Sequence, residues 1–167
     1  RSAGVVSRVP RYDREKLRSL GGHEYCVWWP PSSPRSAKLC WVLVPGGMSS
    51  GRDFYITSLG MSPAIARDES WVVFHNPGQG GTRCESISAH GLTRTDCLSH
   101  FLRHIREQFD SIVVVGFSAG GMPAMSLAQQ EQPIADAFVS VCSPDRIRLV
   151  FEDQASWWLR VDVFFAL

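Results

Sequence analysis

Residues 111–121 read SIVVVGFSAGG, a short apolar run that meets Gly116-Phe117-Ser118-Ala119-Gly120 with no loop between them. Ile112 to Val115 predicts a strand and Ser118 to about Gln130 a helix, so the serine falls at the corner where one becomes the other. A serine held at positive φ in such a corner brings strand and helix so close that side chains two positions before and after it would collide. Gly116 and Gly120 remove those side chains. The same geometry lifts the Ser118 hydroxyl to a helix N-terminus, where free N–H groups favour developing negative charge. Ser118 is therefore the expected nucleophile, and the backbone N–H of Ala119 one arm of an oxyanion hole. Pro123 lies early in the expected helix and predicts a distorted first turn.

The same string admits two other readings. One is a strand-to-helix turn whose glycines serve packing alone. The other is a phosphate-cradling loop in a flavodoxin-like domain, although the chain has neither G-x-x-x-x-G-K-[ST] nor a G-x-G-x-x-G that opens a helix.

Outward from this corner, short apolar runs alternate with loops and helical patterns, which predicts an α/β fold with a mostly parallel sheet and flanking helices. Strands are expected at Glu24–Trp29, Leu39–Val44, Trp71–His75 and Ala137–Cys142. A first helix is expected within 53–66, shortened by Gly60 and Pro63. A longer one is expected over Asp96–Phe109, with Leu98, Phe101, Leu102, Ile105 and Phe109 on one face, Thr93 or Thr95 as its cap and Asp96 at its positive end. Pro45-Gly46-Gly47-Met48 leaves an earlier strand and is placed to give the second oxyanion donor, the N–H of Gly47.

With 167 residues, 44% of them apolar and 20% charged, the chain can bury one sizeable core. A net charge of +1 creates no field that would favour nucleic acid or acidic lipid. Residues 1–20 gather Arg1, Arg8, Arg11, Arg14, Lys16 and Arg18 against Asp13 and Glu15 without apolar periodicity, and are expected to be a basic, flexible tail ahead of a domain over 21–167. The apolar runs fall short of the roughly 20 residues of a membrane span, so membrane association is expected only through segments outside this chain. Five cysteines without a Cys-x-x-Cys pair suggest reduced thiols, an intracellular setting and no zinc site.

Four segments, LVPGGMSSGRDFYITSL, WVVFHNPGQGGT, DSIVVVGFSAGGM and AFVSVCSPDRI, together resemble the α/β-hydrolase superfamily across about residues 39–147. The resemblance is to the branch of YheT-type hydrolases and α/β-hydrolase-domain lipases and esterases. Two positions depart from that branch: Pro45 stands where it has histidine in the oxyanion loop, and Pro77 where it has arginine in the second loop. The resemblance implies hydrolysis of carboxylic esters, with acylglycerols or other lipid esters as substrates, and no cofactor.

A serine needs a base, and in this fold the order is Ser, then Asp or Glu, then His. His23, His75, His90, His100 and His104 all precede Ser118. His100 and His104 are one helical turn apart and expected on the polar side of their helix, whereas His75 and His90 are expected on loops near strand ends. Beyond the fifth strand stand Asp145, Glu152, Asp153 and Asp162, then WWLRVDVFFAL, which reads as the start of a helix or lid. The expectation is a partial α/β-hydrolase fold whose C-terminal strands are missing, inactive as this fragment. The alternative is a catalytically dead module that binds lipid or a protein partner.

Overall fold

The computed structural model describes residues 10–31, 33–35, 37–62, 65, 69–84 and 94–143, and in it the apolar runs become six strands of one sheet. These are β1 Asp13–Arg18, β2 Glu24–Trp29, β3 Ala37–Val44, β4 Ser70–His75, β5 Phe109–Phe117 and β6 Ala137–Val141, in the order β1-β2-β4-β3-β5-β6. β1 and β2 run antiparallel, as do β2 and β4; β4, β3, β5 and β6 are parallel to one another. Central strands of this kind are covered on both faces, which is why β4 is buried at every residue and β3 and β5 read as nearly continuous Val, Leu and Ile.

Alternation along the strands sends side chains to two cores. On one face Val42, Val44, Val72, Phe74, Ile112 and Val114 meet α2 (Asp96–Ile105) and α3 (Gly121–Ala128) through Leu98, Phe101, Leu102, Ile105, Ala124 and Leu127. On the other, Leu43, Val73, Val115, Trp28 and Trp71 pack with Ile56 of α1 (Phe54–Gly60). Each fully buried Leu, Ile or Phe stabilises the fold by about 1.5–3 kcal/mol. Among the described residues, no helix is long and apolar enough to cross a membrane.

Several sequence expectations change. The helix expected over Asp96–Phe109 ends at Ile105, residues 106–108 form a 3-10 turn, and Phe109 opens β5. Phe109 kept the helical spacing because it enters the same core from a strand, stacked on Trp29 at 6.3 Å. The turn is fixed by Asp136, which pairs with Arg106 at 2.5 Å and accepts the Ile112 N–H at 2.7 Å. Thr95 occupies the N-cap position of α2 in αR conformation and makes no capping bond with its side chain. The basic stretch read as a tail contains β1, which hides its strand character because it is a charged edge. Leu17 packs against the core from one face, and on the other the exposed Arg14 sets its guanidinium 4.4 Å over Trp28. Residues 1–9, Pro63, His90 and Thr93 lie outside the described residues, as do Asp145, Glu152, Asp153, Asp162 and the rest of 144–167.

Candidate active site

β5 remains extended through Phe117 (φ −108°, ψ 133°), and the next residue, Ser118, turns to φ 49°. Among the described residues only Ser118 and Cys142 are non-glycine residues at positive φ, a conformation that costs a non-glycine residue about 1–3 kcal/mol. Packing holds it there. A Cβ on Gly116 would meet the Gly121 Cα, the Gly120 carbonyl oxygen at 2.5 Å and the Gly121 nitrogen at 2.7 Å, all backbone atoms. A Cβ on Gly120 would strike the carbonyls of Val44 and Pro45. A Cβ on Gly121, which the sequence reading passed over, would strike the Ser143 hydroxyl and come 2.6 Å from the Ser140 hydroxyl. Ser118 itself is exposed, while Gly116 and Gly120 are buried.

The helix begins later than expected. Ser118–Gly120 form a 3-10 turn and α3 starts at Gly121, so Pro123 occupies the first α-turn, where a missing N–H costs no intrahelical bond. The Ala119 N–H, in the opening 3-10 turn, has no intrahelical acceptor.

Across this corner lies the loop that leaves β3. A Cβ on Gly46 would come 3.2 Å from the Ser118 Cβ, and one on Gly47 would rest 3.6 Å from the Ala119 Cβ. Gln79 Nε2 donates to the carbonyls of Gly46 at 2.9 Å and Gly47 at 2.6 Å, two acceptors that also fix which end of the amide faces them. The peptide between Gly46 and Gly47 is trans, so the Gly47 N–H points opposite to the carbonyl that Gln79 holds. Among the described residues that N–H meets no acceptor. The Gly46 N–H donates to Tyr55 Oη at 3.4 Å. Further along, the Gly51 N–H donates to His75 Nε2 at 3.0 Å and its carbonyl accepts the Tyr12 hydroxyl at 2.6 Å. Met48, between the two anchored stretches, is fully exposed.

Two of the described histidines are committed elsewhere. His75, expected on a loop, ends β4 and is fully buried. Burial pushes its pKa down to about 4, so the ring is neutral and its Nε2 lone pair is taken by Gly51. Its Nδ1 therefore carries the proton, and has no partner among the described residues. His100 turns toward the core instead of the polar side, with Nδ1 2.7 Å from the Tyr25 hydroxyl; His104 is exposed. Among the described residues none is hydrogen-bonded to Ser118, and no three His, Cys, Asp or Glu side chains converge as metal ligands. None of the five cysteines is joined in a disulfide. Gln79, Tyr55 and the Tyr12–Gly51–His75 clamp escaped the sequence reading, although a lone long polar residue within Pro-Gly-Gln-Gly-Gly was a usable signal for Gln79.

A family profile described as "Alpha/beta hydrolase family" matches residues 41–166. Among curated proteins, none matches the sequence. Among solved structures, the Pyrococcus furiosus esterase Pf2001 superposes with a TM-score of 0.71 at 12% identity, covering 93% of this chain and 60% of that one. A thioesterase domain from the curacin biosynthetic pathway gives 0.62 at 18% identity, with 93% and 52% covered. An α/β hydrolase from Novosphingobium aromaticivorans gives 0.59 at 18%, with 80% and 45% covered. At these identities the likeness is one of fold, and the chain spans about half the length of these three structures, from 45% to 60%.

Proposed function

The chain belongs to the alpha/beta hydrolase family, and from that membership we propose that it carries the nucleophile and oxyanion hole of a serine hydrolase acting on carboxylic esters. Ser118 Oγ attacks the acyl carbon, and the carbonyl oxygen, now negative, takes hydrogen bonds from the N–H groups of Gly47 and Ala119. The alcohol leaves with a proton, and water then cleaves the acyl-enzyme. The observation that carries this reading is the positive φ of an exposed Ser118 between two glycines that admit no Cβ, with the Gly46-Gly47 turn laid against it.

Loss of one oxyanion donor typically slows such an enzyme about 10²–10³-fold. The proton of Ser118 needs an acceptor as well, worth about 10²–10⁴. None of the described histidines is bonded to Ser118, and in this reading the base is a residue outside the described ones. The exposed apolar side chains of Met48, within the loop after β3, and Phe54, the first residue of α1, favour a substrate with an acyl chain, as in a lipid ester. Five cysteines outside any disulfide suit a reducing, intracellular setting. A second reading, a silent module that keeps the cleft and binds lipid or a partner, is favoured by a Ser118 hydroxyl that meets no base among the described residues.

A fluorophosphonate probe applied to the intact protein separates the two. Covalent labelling that disappears in Ser118→Ala is expected; absence of labelling in the wild-type protein would rule out the hydrolase and leave the silent module.

A further inference from the structure

Pro10, Arg11, Tyr12, Arg14 and Arg52 line a cavity of about 390 Å³ at the place where the segment entering β1 meets the loop after β3. Three of these five side chains are guanidinium groups. Among the described residues the ion pairs join other cations, Lys16 to Glu24, Arg35 to Glu15, Arg94 to Asp96 and Arg106 to Asp136. Of the acids close by in sequence, Asp13 and Glu15 flank Arg14 in β1 and so face away from it across the pleat. Glu15 meets Arg35, and the Asp53 carboxylate accepts the Ser50 N–H at 2.9 Å.

Three like charges around one cavity repel unless an anion joins them, and two fixtures keep them there. The Arg14 guanidinium carbon lies over the Trp28 ring, 4.4 Å from its centroid, a cation–π contact that fixes the group beside the cavity. The hydroxyl of Tyr12 holds the Gly51 carbonyl at 2.6 Å, which keeps the next residue, Arg52, at the rim. Guanidinium forks match the oxygens of phosphate in geometry as well as charge. The volume falls in the range of small-molecule sites, roughly 300–1,000 Å³, so it admits a phosphate with an organic substituent.

We propose that this cavity binds a phosphate monoester, its oxygens shared among Arg11, Arg14 and Arg52 and its organic part lying against Tyr12 and Pro10. The site is independent of the chemistry at Ser118. The phosphate has two possible sources, a soluble ester or the headgroup of a lipid. Isothermal titration of the intact protein with glycerol 3-phosphate tests the first, and sedimentation with phosphatidylcholine vesicles containing phosphatidic acid tests the second.

Saturable one-to-one binding of glycerol 3-phosphate is expected, weakened about tenfold or more in Arg52→Gln, since a charge-assisted hydrogen bond contributes on that scale. Arg103→Gln, at an exposed position on α2, should bind as the wild type does. Arg52 is exposed on a loop, and circular dichroism of its variant checks that the fold persists. Binding to vesicles alone, with the same dependence on Arg52, would assign the phosphate to a lipid headgroup. Absence of binding to both probes would overturn the proposal. An equal loss in Arg52→Gln and Arg103→Gln would overturn it too, because diffuse attraction to a basic surface would then be sufficient.

Discussion

Replacing Gly116 by alanine adds one methyl group at the tightest part of the corner. That methyl would stand 2.5 Å from the Gly120 carbonyl oxygen and 2.7 Å from the Gly121 nitrogen, besides meeting the Gly121 Cα. None of these atoms belongs to a side chain that can rotate away, so β5 and the start of α3 must separate. Overpacking typically costs about 1–3 kcal/mol when neighbouring side chains can yield, and backbone neighbours put Gly116→Ala at the top of that range, about 3 kcal/mol. For a domain of this size each kcal/mol lowers Tm by about 2–4 °C, so a fall of about 6–12 °C is expected. Gly47→Ala is the matched control: its methyl would touch only the Ala119 Cβ, at an ordinary 3.6 Å, and a change within about 0.5 kcal/mol is expected. Thermal melts followed by far-UV circular dichroism compare the two. Equal shifts, or a Gly116→Ala protein that melts with the wild type, would refute the claim that bare glycines hold Ser118 at positive φ.

Gln79→Ala releases two carbonyls, each bond contributing about 0.5–1.5 kcal/mol. It frees the peptide that aims the Gly47 N–H, so the second-order rate of fluorophosphonate labelling should fall about tenfold; an unchanged rate would remove Gly47 from the oxyanion hole. His75 is neutral in the fold, with its pKa lowered to about 4 by burial from an unfolded value of 6.5. Stability should therefore be fully present above pH 6.5 and decline as the pH falls toward 4, because the unfolded chain takes up the proton first. Between pH 7.5 and 4.5 this amounts to about 2–3 kcal/mol. Urea unfolding at the two pH values should show it in the wild type and show a shallower dependence in His75→Gln.

Much of this architecture was legible because parallel strands covered on both sides leave unbroken apolar runs. β2 follows the EYCVWW run, and β3, β4 and β5 follow LCWVLV, WVVFH and IVVV with small extensions. The corner at Ser118 was legible for a different reason, since two glycines at fixed offsets are a steric requirement and not a matter of propensity. What stayed hidden depended on contacts distant in sequence. β1 carries five charged residues in six and is a strand only because β2 offers it an edge. The end of α2 was masked because Phe109 continues the apolar stripe from another element. Gln79 and Gly46 are 33 positions apart, and no local pattern announces that one aims the other's peptide. His75, expected on a loop, is instead a buried ring at the end of β4 that accepts from Gly51, a contact 24 positions away that no local pattern announces.

The stretch from Gly46 to Gly51 is fastened at both ends, by Gln79 on one side and by His75 and Tyr12 on the other, and bare at Met48. Such a span can accept bulk at its middle without disturbing either mooring. Met48→Cys, in a chain whose other two exposed thiols, Cys84 and Cys142, have been replaced, would let a fluorophore be tethered two residues from Gly46, whose backbone lies against Ser118. The arrival of an acyl group could then be watched optically.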